Sequence, residues 1–333
     1  MNNHSRLVFL LGILISVVSL WVTLTYVDIH EIYTLLVHSH GLMAIPLIAA
    51  FSLYYWIKAI RWQQLLQPIS DTKTSAIFTP MMIGFLGNNI LPARLGEFIR
   101  MYLGAKLLKL NNSQIFATII MERVFDILTI VFYLGIAILL ENDIPPLLLS
   151  AGYLATFLGF GLLLCIVVYV RWTQFSLELI KKCLFFLPSG FTKSVTHHLE
   201  IGSRGLHAIR DSKLTINIIV TSLAQWGCMG ITIYFSLMAV DISTPLSAAF
   251  IVLAFTVFAV IIPAAPGFFG TIQLAYILAL RPYDIPESDA FAASVFFHVI
   301  TYFSVLFVGF YLLHRLGYTM KQLRLETEST TQP

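Results

Sequence analysis

Six stretches of this chain, residues 7–27, 42–60, 115–140, 147–170, 215–240 and 290–314, are apolar over 19 to 26 residues. A helix needs about 20 such residues to cross about 30 Å of hydrocarbon. Apolar residues make up 58% of the 333 positions and charged residues only 11%, with a mean hydropathy of +0.85, so too little polar surface is left for a soluble domain. The expected fold class is an all-α, polytopic integral membrane protein. The first run exceeds the roughly 7–15 residues of a secretory signal core and no A-x-A site follows it, which predicts an uncleaved helix.

Charge position sets the expected topology. Lys and Arg gather in residues 61–73 and 171–213 and are missing from 28–41, 141–146 and 241–245. Short basic loops stay on the cytoplasmic side, so both termini are expected to be cytoplasmic, in a bacterial inner membrane. Two further apolar regions, 74–109 and 246–280, are broken in the middle by proline and glycine. For the loop assignment to hold, the first must enter and leave on the cytoplasmic side and the second on the outer side. The segment 270–280 after the second break reaches only about 16 Å at about 1.5 Å per residue, too short to cross. Such re-entrant hairpins require tips buried in protein or lining a cavity, because lipid satisfies no backbone group. The rival count makes both regions full crossings, giving eight or nine spans.

Aligned without gaps, ILPARLGEF at 90–98 and IIPAAPGFF at 261–269 agree at Ile, Pro, Ala, Gly and Phe. The match falls on the breaks of the two regions just given opposite polarity, which predicts an inverted internal repeat like those of secondary transporters. Pro92 and Pro263 would end the entering arms, since proline removes a backbone donor and clashes with the preceding turn. Gly96 and Gly267, with Pro266 and Gly270, would allow the reversal and aim half-helix N-termini inward. The expected organisation is one membrane domain over 1–320, with repeats near 42–140 and 215–314, a basic cytoplasmic connection at 171–214 and a polar tail from 321.

The first break carries Arg94, Glu97 and Arg100, and each ionised group at a lipid-exposed helix centre costs about 2.5–3.5 kcal/mol. These side chains should therefore face one another or a polar cavity, with Glu97 and Arg100 at a spacing that could pair. The stretch MERVFD holds Glu122, Arg123 and Asp126. Either these snorkel at the cytoplasmic end of a span, or the carboxylates pair with Arg94 or Arg100 and shape the same cavity. Gln225 and Trp226 mark either a helix contact or a cavity wall.

Other constellations are weaker. Cys165, Cys183 and Cys228 have no metal or disulfide spacing. His197, His198, Glu200 and His207 fit a solvated interfacial helix, and His30, His38 and His40 a polar loop, so neither metal nor cofactor is expected. The net charge of +3 gives no reason to expect nucleic acid. Glu97 with Asp126 would be the acid and base of a lipid-modifying enzyme, and a scaffold role is the other alternative.

The motifs NILPARLGExxR at 89–100, ERVFD at 122–126 and PAAPGFFGTIQ at 263–273 resemble the membrane region of lysylphosphatidylglycerol synthases and the flippase-like proteins related to it, over about residues 5–320. The resemblance implies a lipid flippase without chemistry of its own. Its cargo would be an anionic or zwitterionic phospholipid or a polyprenyl-phosphate-type lipid. The family's motifs map onto Asn89, Pro92, Arg94, Gly96, Glu97, Arg100, Glu122, Arg123, Asp126, Pro263, Pro266, Gly267, Gly270 and Gln273. Where members often have an arginine in the last span, this chain has His298, which would alter head-group preference. No aminoacyl-transfer domain is expected, since a short tail follows Arg315. The oligomeric state stays open.

Overall fold

The computed structural model describes residues 27–91, 94–141, 211–261 and 266–320, with 322, 323 and isolated positions elsewhere. Helices α1 (Ile29–Val37), α2 (Ala44–Leu66), α3 (Thr74–Ile90), α4 (Gly96–Leu108) and α5 (Asn112–Leu139) form the first half. The second half holds α6 (Ser212–Met238), α7 (Leu246–Ile261), α8 (Thr271–Leu280) and α9 (Glu287–Arg315). No strand occurs among the described residues; the expected runs at 7–27, 147–170 and 171–213 lie outside them except for isolated positions and residues 211–213, and Pro92 and Pro263 lie outside them altogether. The protein is an all-α membrane protein.

Local chemistry fixes the helix ends. Asp28 Oδ1 accepts from His30 N at 2.7 Å and opens α1, and Asp211 Oδ1 accepts from Lys213 N at 2.9 Å and opens α6. Both occupy free N–H groups of a first turn. Gln114 Oε1 reaches back to Asn111 N at 3.1 Å ahead of α5. Among the described residues, three segments, Gly41–Leu66, Lys213–Met238 and Glu287–Arg315, are long and apolar enough to cross a membrane. Helix α5 has the length too, but Glu122, Arg123 and Asp126 interrupt its apolar run.

Both broken regions fold as helix, break, helix, and the arms of each pair pack on one another, α3 on α4 and α7 on α8. At 10 residues, α8 is about 15 Å long and cannot cross hydrocarbon alone. The α3–α4 pair is exceptionally close: a Cβ on Gly96 would lie 1.9 Å from the Gly84 carbonyl oxygen, and one on Gly87 2.8 Å from Gly96 Cα. Only glycine permits backbones to meet like this. In the second break Gly267 and Gly270 take φ values of 79° and 84°, which favour glycine for the same steric reason.

Long-range contacts arrange the ends. Helices α2 and α6 run against each other, and His40 Nε2 meets Asp241 Oδ1 at 2.9 Å, joining the segments before α2 and after α6. The Ser247 hydroxyl donates to Glu141, so the end of α5 and the start of α7 meet as well. Around Ile83, Leu86, Ile99 and Leu103, a packed cluster includes Leu313 and fully buried Leu323, so the segment after α9 folds back onto the α3–α4 pair.

Candidate functional site

Eight charged side chains converge where α2, α4 and α5 meet the first break. Lys58 and Arg61 come from α2, Arg94 from the break, Glu97 and Arg100 from α4, and Glu122, Arg123 and Asp126 from α5. Arg100 donates to both oxygens of Glu122, Nη1 to Oε1 at 3.0 Å and Nη2 to Oε2 at 2.7 Å, and its guanidinium lies 3.8 Å over the Trp62 ring. Lys58 Nζ sits 3.0 Å from Glu122 Oε1. Asp126 takes Arg61 Nη2 at 2.6 Å, the Trp226 indole N–H at 2.8 Å and Arg123 Nη1 at 3.1 Å. Arg123 also reaches Glu97 Oε1 at 2.6 Å and so ties α5 to α4. Stripped of water, Glu122 and Asp126 hold their charges only because each faces several cations or donors.

The network borders a cavity of about 430 Å³. Arg94, Glu97, Arg123 and Asp126 face it from one side, with Asn88 and Asn89 at the end of α3. Tyr54, Phe85, Trp226 and Phe268 give it aromatic walls, and α7 adds Leu253, Thr256 and Val257. His298 and Thr301 face it from α9. It is a largely apolar space with a few convergent polar groups, the usual make-up of a ligand site.

Arg94 differs from the other cations. Its backbone is left-handed at φ 55°, its side chain is half-buried, and its guanidinium lies 5.9 Å from the Phe268 ring centroid at the second break. Among the described residues it forms no ion pair or hydrogen bond. The cluster holds five cations, Lys58, Arg61, Arg94, Arg100 and Arg123, against three carboxylates, Glu97, Glu122 and Asp126. Two positive charges are left without a counter-charge.

The expected site residues separate into three groups. Asn89, Arg94, Glu97, Arg123, Asp126, Gly267 and His298 border the cavity. Arg100 and Glu122 are sealed behind it at 1% and 0% exposure, each spent on the other. Gln273 is turned to the helix end: its Oε1 accepts from Gly270 N at 2.8 Å and its Nε2 meets His298 Nδ1 at 3.1 Å, so it holds the second tip and the histidine ring. Gly96 and Gly270 shape the backbone, and Pro266 opens a short 3-10 turn at 266–268. The expected Glu97–Arg100 pair does not form, because Glu122 and Arg123 of α5 offer each residue a partner from across the helix pair. In MERVFD, Glu122 and Asp126 are paired and buried, and Arg123 is paired with 36% of its side chain exposed. Trp226 proves to be both helix contact and cavity wall.

Lys58 and Arg61 were absent from the expected set. Their signal was present, two basic residues at i, i+3 in an apolar run, but a cation near the end of such a run reads as the start of a cytoplasmic loop.

Residues 9–309 match the lysylphosphatidylglycerol synthase TM region. The chain belongs to that family. A UPF0104 membrane protein of Methanocaldococcus jannaschii is 27% identical over 234 residues, covering 68% of this chain and 94% of that protein. Glycosyltransferase AglD of Haloferax volcanii is 21% identical over 327 residues, 89% of this chain, and the chain spans 52% of that relative's length. No solved structure matches the chain. These comparisons correct the expectation of a protein without chemistry of its own: the family is named for a synthase and one relative for a glycosyl transfer, so the chain is not to be set apart from enzymes.

Proposed function

We propose that the cavity holds the phosphate of a membrane lipid or lipid-linked saccharide, and that the chain serves a lipid- or glycan-modifying step in the cytoplasmic membrane. The observation that carries this reading is Arg94, an unpaired guanidinium facing an apolar cavity beside a network with two positive charges in excess. Guanidinium suits phosphate because its planar N–H groups match two oxygens at once. Arg123 would join it by exchanging a carboxylate contact for the phosphate, while Asn89 and His298 would bound the head group. Arg61, Arg100, Glu122 and Asp126 hold the frame. The glycosyl-transfer name of one relative supports a chemical step on the bound lipid.

A second reading, movement of the lipid between leaflets, is favoured by the two helix–break–helix pairs. In it they are inverted re-entrant copies, repeat one over 42–140 and repeat two over 215–314, with both termini cytoplasmic. The proximity of Arg94 to Phe268 supports tips that meet at the cavity.

Purified protein in liposomes, supplied with a fluorescent phospholipid and with nucleotide-sugar or aminoacyl donors, separates the readings. A new lipid species by mass spectrometry supports the chemical step, and leaflet exchange without one supports transport. If wild-type protein and Arg94→Gln carry the same co-purified lipids in equal amounts, the phosphate assignment is wrong.

A further inference from the structure

Tyr54, Phe85 and Trp226 line the cavity, and the same three rings surround the Lys58 ammonium at 5.7, 5.7 and 5.9 Å from their centroids. Aromatic rings so placed are the means by which proteins take up choline and other ammonium ligands. Here the protein's own ammonium occupies that position, fully buried and held 3.0 Å from Glu122 and 3.6 Å from Asp126. Asp126, which also borders the cavity, is engaged too, since it receives Arg61, Arg123 and Trp226. Glu97 gives Oε1 to Arg123, and its Oε2 is buried without a hydrogen-bond partner.

Charge balance points the same way. A phosphomonoester dianion would cancel the two positive charges in excess, and a phosphodiester with a neutral head group would halve them. A zwitterionic head group would leave them untouched and bring an ammonium into a cavity bordered by Arg94 and Arg123, with Lys58 behind its aromatic wall. Charges interact strongly where water is excluded, so this difference decides between ligands.

We propose that the cavity selects anionic lipid phosphates without an ammonium group and turns away zwitterionic head groups, with Lys58 as the excluding charge. The inference rests on the phosphate-binding reading above. Lys58→Met tests it most directly, because methionine fills similar space without charge and each carboxylate keeps another partner: Arg100 for Glu122, and Arg61 and Arg123 for Asp126.

Native mass spectrometry of the full chain in a non-ionic detergent can compare dioctanoyl phosphatidic acid and phosphatidylglycerol with dioctanoyl phosphatidylcholine and phosphatidylethanolamine. The expected result is binding of the first two at least about tenfold tighter than the second two, a gap that Lys58→Met narrows by strengthening phosphatidylcholine. Equal or tighter binding of the zwitterionic lipids, with Arg94→Gln weakening all four, overturns the inference and leaves the phosphate site standing. Binding of all four unchanged by Arg94→Gln overturns the phosphate reading and this inference with it. A folded Lys58→Met that gains no phosphatidylcholine removes Lys58 from the role; if that variant does not fold, the wild-type comparison decides alone.

Discussion

Arg100 of α4 and Glu122 of α5 face each other in a fork of two hydrogen bonds, 3.0 and 2.7 Å, with 2% and 0% of their side chains exposed. This pair fastens the first broken helix pair to a long helix where packing leaves no solvent to share the charge. Glu122→Gln should therefore destabilise the protein by about 3–5 kcal/mol, because Arg100 and Lys58 both lose a buried counter-charge. The double change Arg100→Met with Glu122→Leu should cost less than either single change. Chemical denaturation of purified variants in detergent measures both, and additive losses would show that the two residues do not act as a pair.

Glycine at 96 is expected to be irreplaceable while glycine at 135 is not. A Cβ at 96 would meet the Gly84 carbonyl at 1.9 Å, whereas one at 135 meets nothing within 4 Å. Gly135→Ala should be neutral or stabilise α5 by up to about 1 kcal/mol, from the higher helix propensity of alanine. Gly96→Ala should prevent recovery of folded protein. Fluorescence-detected size-exclusion after heating reports both, and a monodisperse Gly96→Ala would refute the close α3–α4 contact.

Arg94 and Arg100 should part company on mutation although both are arginines of the same short stretch. Arg94→Gln removes a group that among the described residues has the Phe268 ring beside it but no ion pair or hydrogen bond, so its melting temperature should stay near wild type while phosphate-lipid binding falls by about 1.5–3 kcal/mol, roughly ten- to a hundredfold. Arg100→Gln should lose stability first. A thermal shift series with and without dioctanoyl phosphatidic acid distinguishes them, and a reversed order would move the ligand contact to Arg100.

Sidedness tests the proposed inversion of the broken pairs. In a background without Cys165, Cys183 and Cys228, single cysteines at Asp241 and Arg281 should react with an impermeant maleimide from one side of a vesicle, and those at Asp71 and Lys109 from the other. Labelling of Asp71 and Lys109 from opposite sides would make the first region a full crossing.

The sequence alone determined the membrane class, the four long helices among the described residues to within about six positions, the end of α2 being the furthest off, and the two breaks. Each of these follows from local rules: helix length against bilayer thickness, and backbone freedom at proline and glycine. It also marked Arg94, Glu97, Arg123 and Asp126, because ionised groups amid hydrocarbon demand company. The tertiary structure alone decided who keeps that company. Whether Arg100 turns to Glu97 on its own helix or to Glu122 on another depends on how close α4 and α5 approach, and Lys58 and Arg61 joined the site only because α2 also lies against α5 and brings them beside Glu122 and Asp126. Spacing along a chain cannot convey a distance across 65 residues, and that distance made Arg94 the cation left over.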